Sequence, residues 1–215
     1  MKTHLILMCS LILILSPFLS AHQQFKDLTL DSAGIRELDI ECGAGFLKIS
    51  TEKGLSRINV EAEIIVEGMN KDKASKYIQD EVVLSLKKRG DTAYLISKFR
   101  PMNSFFSTRE RSINLTVHIP SEINLDVDDG SGSIWIENVK GALKVHDGSG
   151  DMRIRNISKG AKITDGSGNM DLYDITGNVK IDDGSGNMDI EGVRGNLHVN
   201  DGSGNFTAKD IQGMI

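Results

Sequence analysis

From Leu125 onward, apolar and polar positions alternate in short runs that recur along the chain. The pairs Leu125/Val127, Leu143/Val145, Ala161/Ile163, Val179/Ile181 and Leu197/Val199 each precede a glycine turn. The pairs Ile134/Ile136, Met152/Ile154, Met170/Leu172, Met188/Ile190 and Phe206/Ala208 each follow one. Residues two apart on a strand share a face, so every pair predicts a short strand with one buried side. One more apolar position closes each unit: Val139, Ile157, Ile175, Val193 and Ile211. The positions between are mostly polar, such as Lys144, Lys162, Lys180, Asp171 and Asp189. The turn is Asp-Gly-Ser-Gly at 129–132, 147–150, 165–168, 183–186 and 201–204, spaced by 18 residues each time.

A unit of this size cannot bury its apolar side alone, but stacked units close it into one core. Short strands broken by glycine make poor helices and good solenoid rungs. The predicted fold is therefore all-β: a β-solenoid with five regular 18-residue rungs, joined by parallel ladders and rising roughly 20–25 Å at ~4.8 Å per rung. A sandwich of antiparallel hairpins uses similar strands but gives no reason for the constant spacing.

The earlier half is a worn version of the scheme. Leu38 and Ile40, the turn Cys42-Gly43-Ala44-Gly45, then Leu47 and Ile49 read as one rung with Cys42 in the aspartate's place. Residues 58–66 and 113–119 alternate as longer strands, and 82–86 and 92–96 flank Lys88-Arg89-Gly90-Asp91 as a hairpin. Residues 68–80 read as a loop or short helix. This part is expected to cap the solenoid and protect one edge. The organisation expected is a leader at 1–21, an irregular β-rich part at 22–120, and regular repeats at 121–215 continuous with it.

The leader rests on Lys2, the apolar run LILMCSLILILSPFL at 5–19, and small residues at Ser20-Ala21. The run is short for a membrane span, which needs about 20 residues, and fits a secretory signal peptide. No further run in the mature chain is long enough to cross a membrane, so the product is expected to be periplasmic, surface-held or secreted. Cys42 is the only cysteine beyond the leader, which excludes an internal disulfide there. Formal charge is −5, against a basic nucleic-acid binder. The acid is concentrated in the repeats, where 121–215 carry 16 acidic and 9 basic side chains.

INLTVHIP at 113–120 leads directly into Leu125-Asp126-Val127-Asp128-Asp129-Gly130-Ser131-Gly132 and its repeats. With the Gly-x-Leu-x-Val steps at 141–145 and 195–199, this resembles the putative adhesin family of bacterial exported proteins, a GSG-repeat domain of unknown function. The resemblance covers roughly 35–215. It implies a β-solenoid outside the cytoplasm and carries no catalytic residue to this chain. Cys42 at the first turn and Lys159-Gly160, where the usual glycine is displaced by one place, depart from the pattern.

The candidate chemistry is sparse. Asp129, Asp147, Asp165, Asp183 and Asp201 form a ladder if the rungs stack. As exposed pairs they repel by up to about 1 kcal/mol each. Their structural role is an Asx turn, in which each carboxylate accepts the N–H of the serine two residues on. Their alternative role is Ca²⁺ binding through oxygen ligands, although calcium-binding solenoids repeat Gly and Asp at about half this period. Asn169, Asn187 and Asn205, preceded by Ser133 and Asp151, form a second ladder fit for amide–amide bonding. The five turn serines are scaffold, since a nucleophile is one residue beside one base. His118, His146 and His198 lack zinc spacing. The aromatic-rich segment around Phe99, Arg100, Phe105 and Phe106, together with the outward Trp135, is either a contact surface or a cover for the core's end.

These observations predict a non-enzymatic exported protein, an adhesin or envelope scaffold, without cofactor. A carbohydrate-binding or polysaccharide-active module and a calcium-stabilised surface protein are the alternatives. The partners expected are a protein or cell-surface glycan, and a second copy through the open C-terminal rung or edges.

Overall fold

The computed structural model describes residues 21–52, 54–101 and 110–215. The expected leader lies outside these residues except for Ala21. The first strand, β1 (His22–Asp31), is followed by β2 (Glu37–Ala44), β3 (Leu47–Thr51) and β4 (Arg57–Val66). Then come α1 (Lys71–Glu81), β5 (Val82–Arg89), β6 (Thr92–Phe99) and β7 (Arg111–Ile119). The repeats supply β8 (Asn124–Ser131), β9 (Ile134–Val139), β10 (Leu143–Asp147), β11 (Met152–Ile157) and β12 (Ala161–Asp165). They continue with β13 (Met170–Thr176), β14 (Val179–Asp183), β15 (Met188–Arg194), β16 (Leu197–Asp201) and β17 (Phe206–Ile211).

Two sheets enclose the core. One runs β1-β4-β7-β3-β9-β11-β13-β15-β17 and the other β16-β14-β12-β10-β8-β2-β6-β5. Each repeat gives one strand to each sheet and pairs in parallel with its copy one repeat away. Leu143 faces Leu125 and Ala161, and Ile154 faces Ile136 and Leu172. The parallel ladders exclude the antiparallel sandwich for this part.

A corner explains the third apolar position. Asn138, Asn156, Asp174 and Asp210 have φ between 53° and 64°, and Gly192 takes the same place at φ 77°. Asn and Asp tolerate this left-handed conformation better than most side chains. The kink breaks the period of two, so Val139, Ile157, Ile175 and Val193 turn back into the core.

The worn rung is real and is laid down out of order. β2 pairs in parallel with β8 on one side and β6 on the other, while β3 pairs with β9 and β7. The chain thus builds β2–β3 first, leaves, returns as β6–β7 on its far side, then crosses to β8–β9. Beyond β6–β7 the pairing becomes antiparallel: β4 on β7, β1 on β4, and the β5–β6 hairpin. α1 contacts β1, β4 and β5. The Asn70 side chain accepts the Lys73 N–H to start the helix, and Ala74 and Ile78 are buried. One apolar cluster runs from Ile35 to Leu197 through both parts.

Candidate functional site

The aspartate ladder points inward. Along β10, Leu143 and Val145 face the core, and the same alternation carries Asp147 to that side. Asp129, Asp147, Asp165 and Asp183 are only 2%, 1%, 3% and 8% exposed. The exposed repelling pairs expected from the sequence are therefore replaced by a buried file. The register is continuous: Ser97 faces Cys42, then follow Asp129, Asp147, Asp165, Asp183 and the half-buried Asp201.

One half of each carboxyl performs the turn role. The Ser149 and Ser167 N–H groups donate to Oδ1 of Asp147 and Asp165, both at 3.2 Å. The other half is stranded. Oδ2 of Asp129, Asp147 and Asp165, and Oδ1 of Asp183 and Asp201, are buried without a hydrogen-bond partner, as is Oγ of Ser97. Burial and then the charges of Asp129 and Asp165 push the Asp147 carboxyl up to about 7. Burial, ahead of every other cause, also raises Asp129, Asp165 and Asp183. Burial, followed by the Asp129 charge, raises the Cys42 thiol, which makes it a poor nucleophile. Among the described residues no three His, Cys, Asp or Glu side chains form a group able to hold a metal ion. A single file lacks the cage of six to eight oxygens that Ca²⁺ takes.

The outward face of the nine-stranded sheet carries Trp135, which is 41% exposed. Its register neighbours are Lys48 and Arg153. Lys48 Nζ lies 5.4 Å and Arg153 Cζ 5.6 Å from the ring centroid. Arg153 in turn donates from Nε (3.2 Å) and Nη2 (2.8 Å) to Asp171 Oδ2 on the next rung. A hollow of about 220 Å³ opens beside the indole, between Asp151, Arg153, Asn169 and Asp171. The expected amide ladder borders it: Asn169 Nδ2 donates to Asp151, Asn187 Nδ2 to Asn169 and Asn205 Nδ2 to Asn187, at 3.0–3.2 Å.

Phe99 and Arg100 do not join this patch. Phe105 and Phe106 lie outside the described residues. Phe99 is half-buried, with its ring 6.3 Å from Tyr77 and the Arg111 guanidinium 4.7 Å over it. Arg100 donates to the Asp80 carbonyl of α1. Both residues fasten the end of the core to the helix.

The fold also assembles a trio that no local pattern announces. Ser50 and His118 are partners in the β3–β7 register; Ser50 Oγ is 3.1 Å from His118 Nδ1, and Glu52 Oε1 is 3.3 Å from the same nitrogen. A relay needs the hydroxyl on one ring nitrogen and the carboxylate on the other; here both compete for Nδ1. The arrangement is a polar clasp between strands.

Solved structures similar to this chain are of low identity. A putative cell adhesion protein from Clostridium sporogenes aligns over 87% of this chain and 99% of its own, at 11% identity and TM-score 0.45. A putative lipid binding protein from Parabacteroides distasonis aligns over 89% and 94%, at 10% identity and TM-score 0.37. A putative adhesin from Bacteroides fragilis aligns over 87% and 96%, at 14% identity and TM-score 0.32. No curated protein matches the sequence. The model of the Toastrack DUF4097 family matches residues 27–214, and with its stacked rungs the chain belongs to that family.

Proposed function

We propose that the protein is a non-enzymatic exported β-solenoid, an adhesin or envelope scaffold that holds a rigid patterned face toward a protein partner at the cell surface. The observation that carries this reading is Trp135, a large aromatic left in solvent on a braced parallel sheet between Lys48 and Arg153. Exposed Trp beside Arg is the composition of binding hot spots. Anchoring on a sheet spares the partner the entropy of ordering a loop. The cations over the indole favour a ligand that brings carboxylates. They also occupy ring surface that a stacked sugar needs, so a glycan ligand is the second reading, favoured only by the Asp151, Asn169 and Asp171 side chains that line the hollow beside the indole.

The test is surface plasmon resonance of the exported chain against immobilised collagen, fibronectin, mucin and peptidoglycan. Saturable binding to collagen or fibronectin, weakened at least tenfold by Trp135→Ala and unchanged by Lys162→Ala on the opposite sheet, supports the reading; the same response to mucin or peptidoglycan alone supports the glycan reading instead. Absence of saturable binding across the panel, or equal loss in both variants, refutes it.

A further inference from the structure

We propose that Asp129, Asp147, Asp165 and Asp183 form a proton-binding column inside the solenoid, in which neighbouring carboxyls share protons through their otherwise unpartnered oxygens. Successive rungs hold these groups about 4.8 Å apart. Asp147 and Asp165 each hold one oxygen on a turn, and all four bury an oxygen without a donor. Two carboxylates at this spacing in a dry interior do not both ionise. A carboxylic acid supplies the missing O–H donor, so mixed acid and carboxylate neighbours satisfy what an all-anionic file cannot.

Among the described residues no cationic side chain is a leading influence on the column. Inward positions of the facing sheet are apolar: Ile134, Ile136, Met152, Met170 and Met188. The charged groups acting on the column are themselves acids, with Asp128 beside Asp129 and Asp201 beside Asp183. Outward His146 and Asp182 precede Asp147 and Asp183 on the opposite face of their strands. The file continues past Asp129 through the Cys42 thiol to Ser97, which is 1% exposed with an unpartnered hydroxyl aimed along the same inward row. At its other end the half-buried Asp201 is the outlet to solvent.

The sign of the pH effect follows. The unfolded chain releases these protons near pH 3.9, whereas in the folded column Asp147 is pushed up to about 7 and its neighbours are raised by the same burial. The folded state binds more protons between those limits. Stability from the column is therefore complete below about pH 4 and declines as pH rises through about 7.

The experiment is urea unfolding of the exported chain from pH 5 to 9, in chelator and in calcium chloride, with infrared spectra of the native protein. The folding constant is expected to fall about tenfold per pH unit for each proton retained. A protonated-carboxyl band should persist at pH 7. Asp147→Asn/Asp165→Asn should flatten the slope, shrink the band and raise the midpoint at pH 8. If that variant fails to fold, the wild-type slope and band decide alone. A flat profile with no band at pH 7 overturns the proposal. So does a calcium-induced rise in the pH 7 midpoint with no band, which makes the file a cation site.

Discussion

Gly43 and Gly166 occupy the same place in their turns and should respond oppositely to alanine. A Cβ on Gly166 falls 2.4 Å from the Gly148 carbonyl oxygen, against the 3.0 Å below which Cβ contacts essentially never occur. Relief requires the rungs to part by at least 0.6 Å, the difference between those distances. The bonds between these two turns are the Gly166 N–H to the Asp147 carbonyl at 3.0 Å and the Gly150 N–H to the Ser167 carbonyl at 2.9 Å; stretched that far, neither survives. Two ladder bonds at about 1 kcal/mol each, with overpacking of about 1–3 kcal/mol, give a loss of about 3–5 kcal/mol. Gly166 is outside the positive-φ set, so the cost is steric. A Cβ on Gly43 meets nothing within 4 Å among the described residues, because the adjacent β6 runs straight on to Phe99 instead of turning. Gly43→Ala should be neutral, or stabilising by up to about 1 kcal/mol through the unfolded chain. Urea unfolding at a slope of about 2 kcal/mol/M then puts the Gly166→Ala midpoint roughly 1.5–2.5 M below wild type, with Gly43→Ala at or above it. Equal midpoints for the two variants would refute the close stacking of the turns.

Leu172 is fully buried between Ile154 and Ile190, so Leu172→Ala should cost about 2–5 kcal/mol; a loss under 1 kcal/mol by the same assay contradicts a close-packed core. β16 and β17 pair on one side only, and unpaired edges template association. Sedimentation velocity should show concentration-dependent self-association that an inward charge, Val199→Lys, suppresses. A monomer throughout the accessible range would remove the edges from consideration.

The repeat was legible because its apolar pairs, turns and corners recur in step, and the rung at Leu38–Ile49 was legible despite Cys42. β1 was not, since its inward positions begin His22, Gln24 and Lys26 rather than with apolar residues. Nothing local announces that β6–β7 stack on the far side of β2–β3, because that order depends on contacts across some 70 residues of chain. The aspartates mark the limit most clearly. Counting by twos from Leu143 and Val145 places Asp147 inward, and only the cost of a buried charge argues for stopping the count. The Trp135 patch was half-visible: its outward position follows from the alternation, but its cations come from Lys48 and Arg153 on neighbouring rungs.

β1 and β17 lie at opposite ends of the nine-stranded sheet, which gives the out-of-order assembly a mechanical meaning. Tension between the two ends acts along the stacking axis, the direction in which the inter-rung hydrogen bonds point. Such bonds open one rung at a time, not all together in shear. Each regular rung then pays out 18 residues, about 60 Å of extended chain, in steps of equal length. The last block to yield is the one in which β2–β3 is clamped between strands made later, because no single rung there can leave without its neighbours. Under such tension the molecule would lengthen in increments from one end while the other end holds.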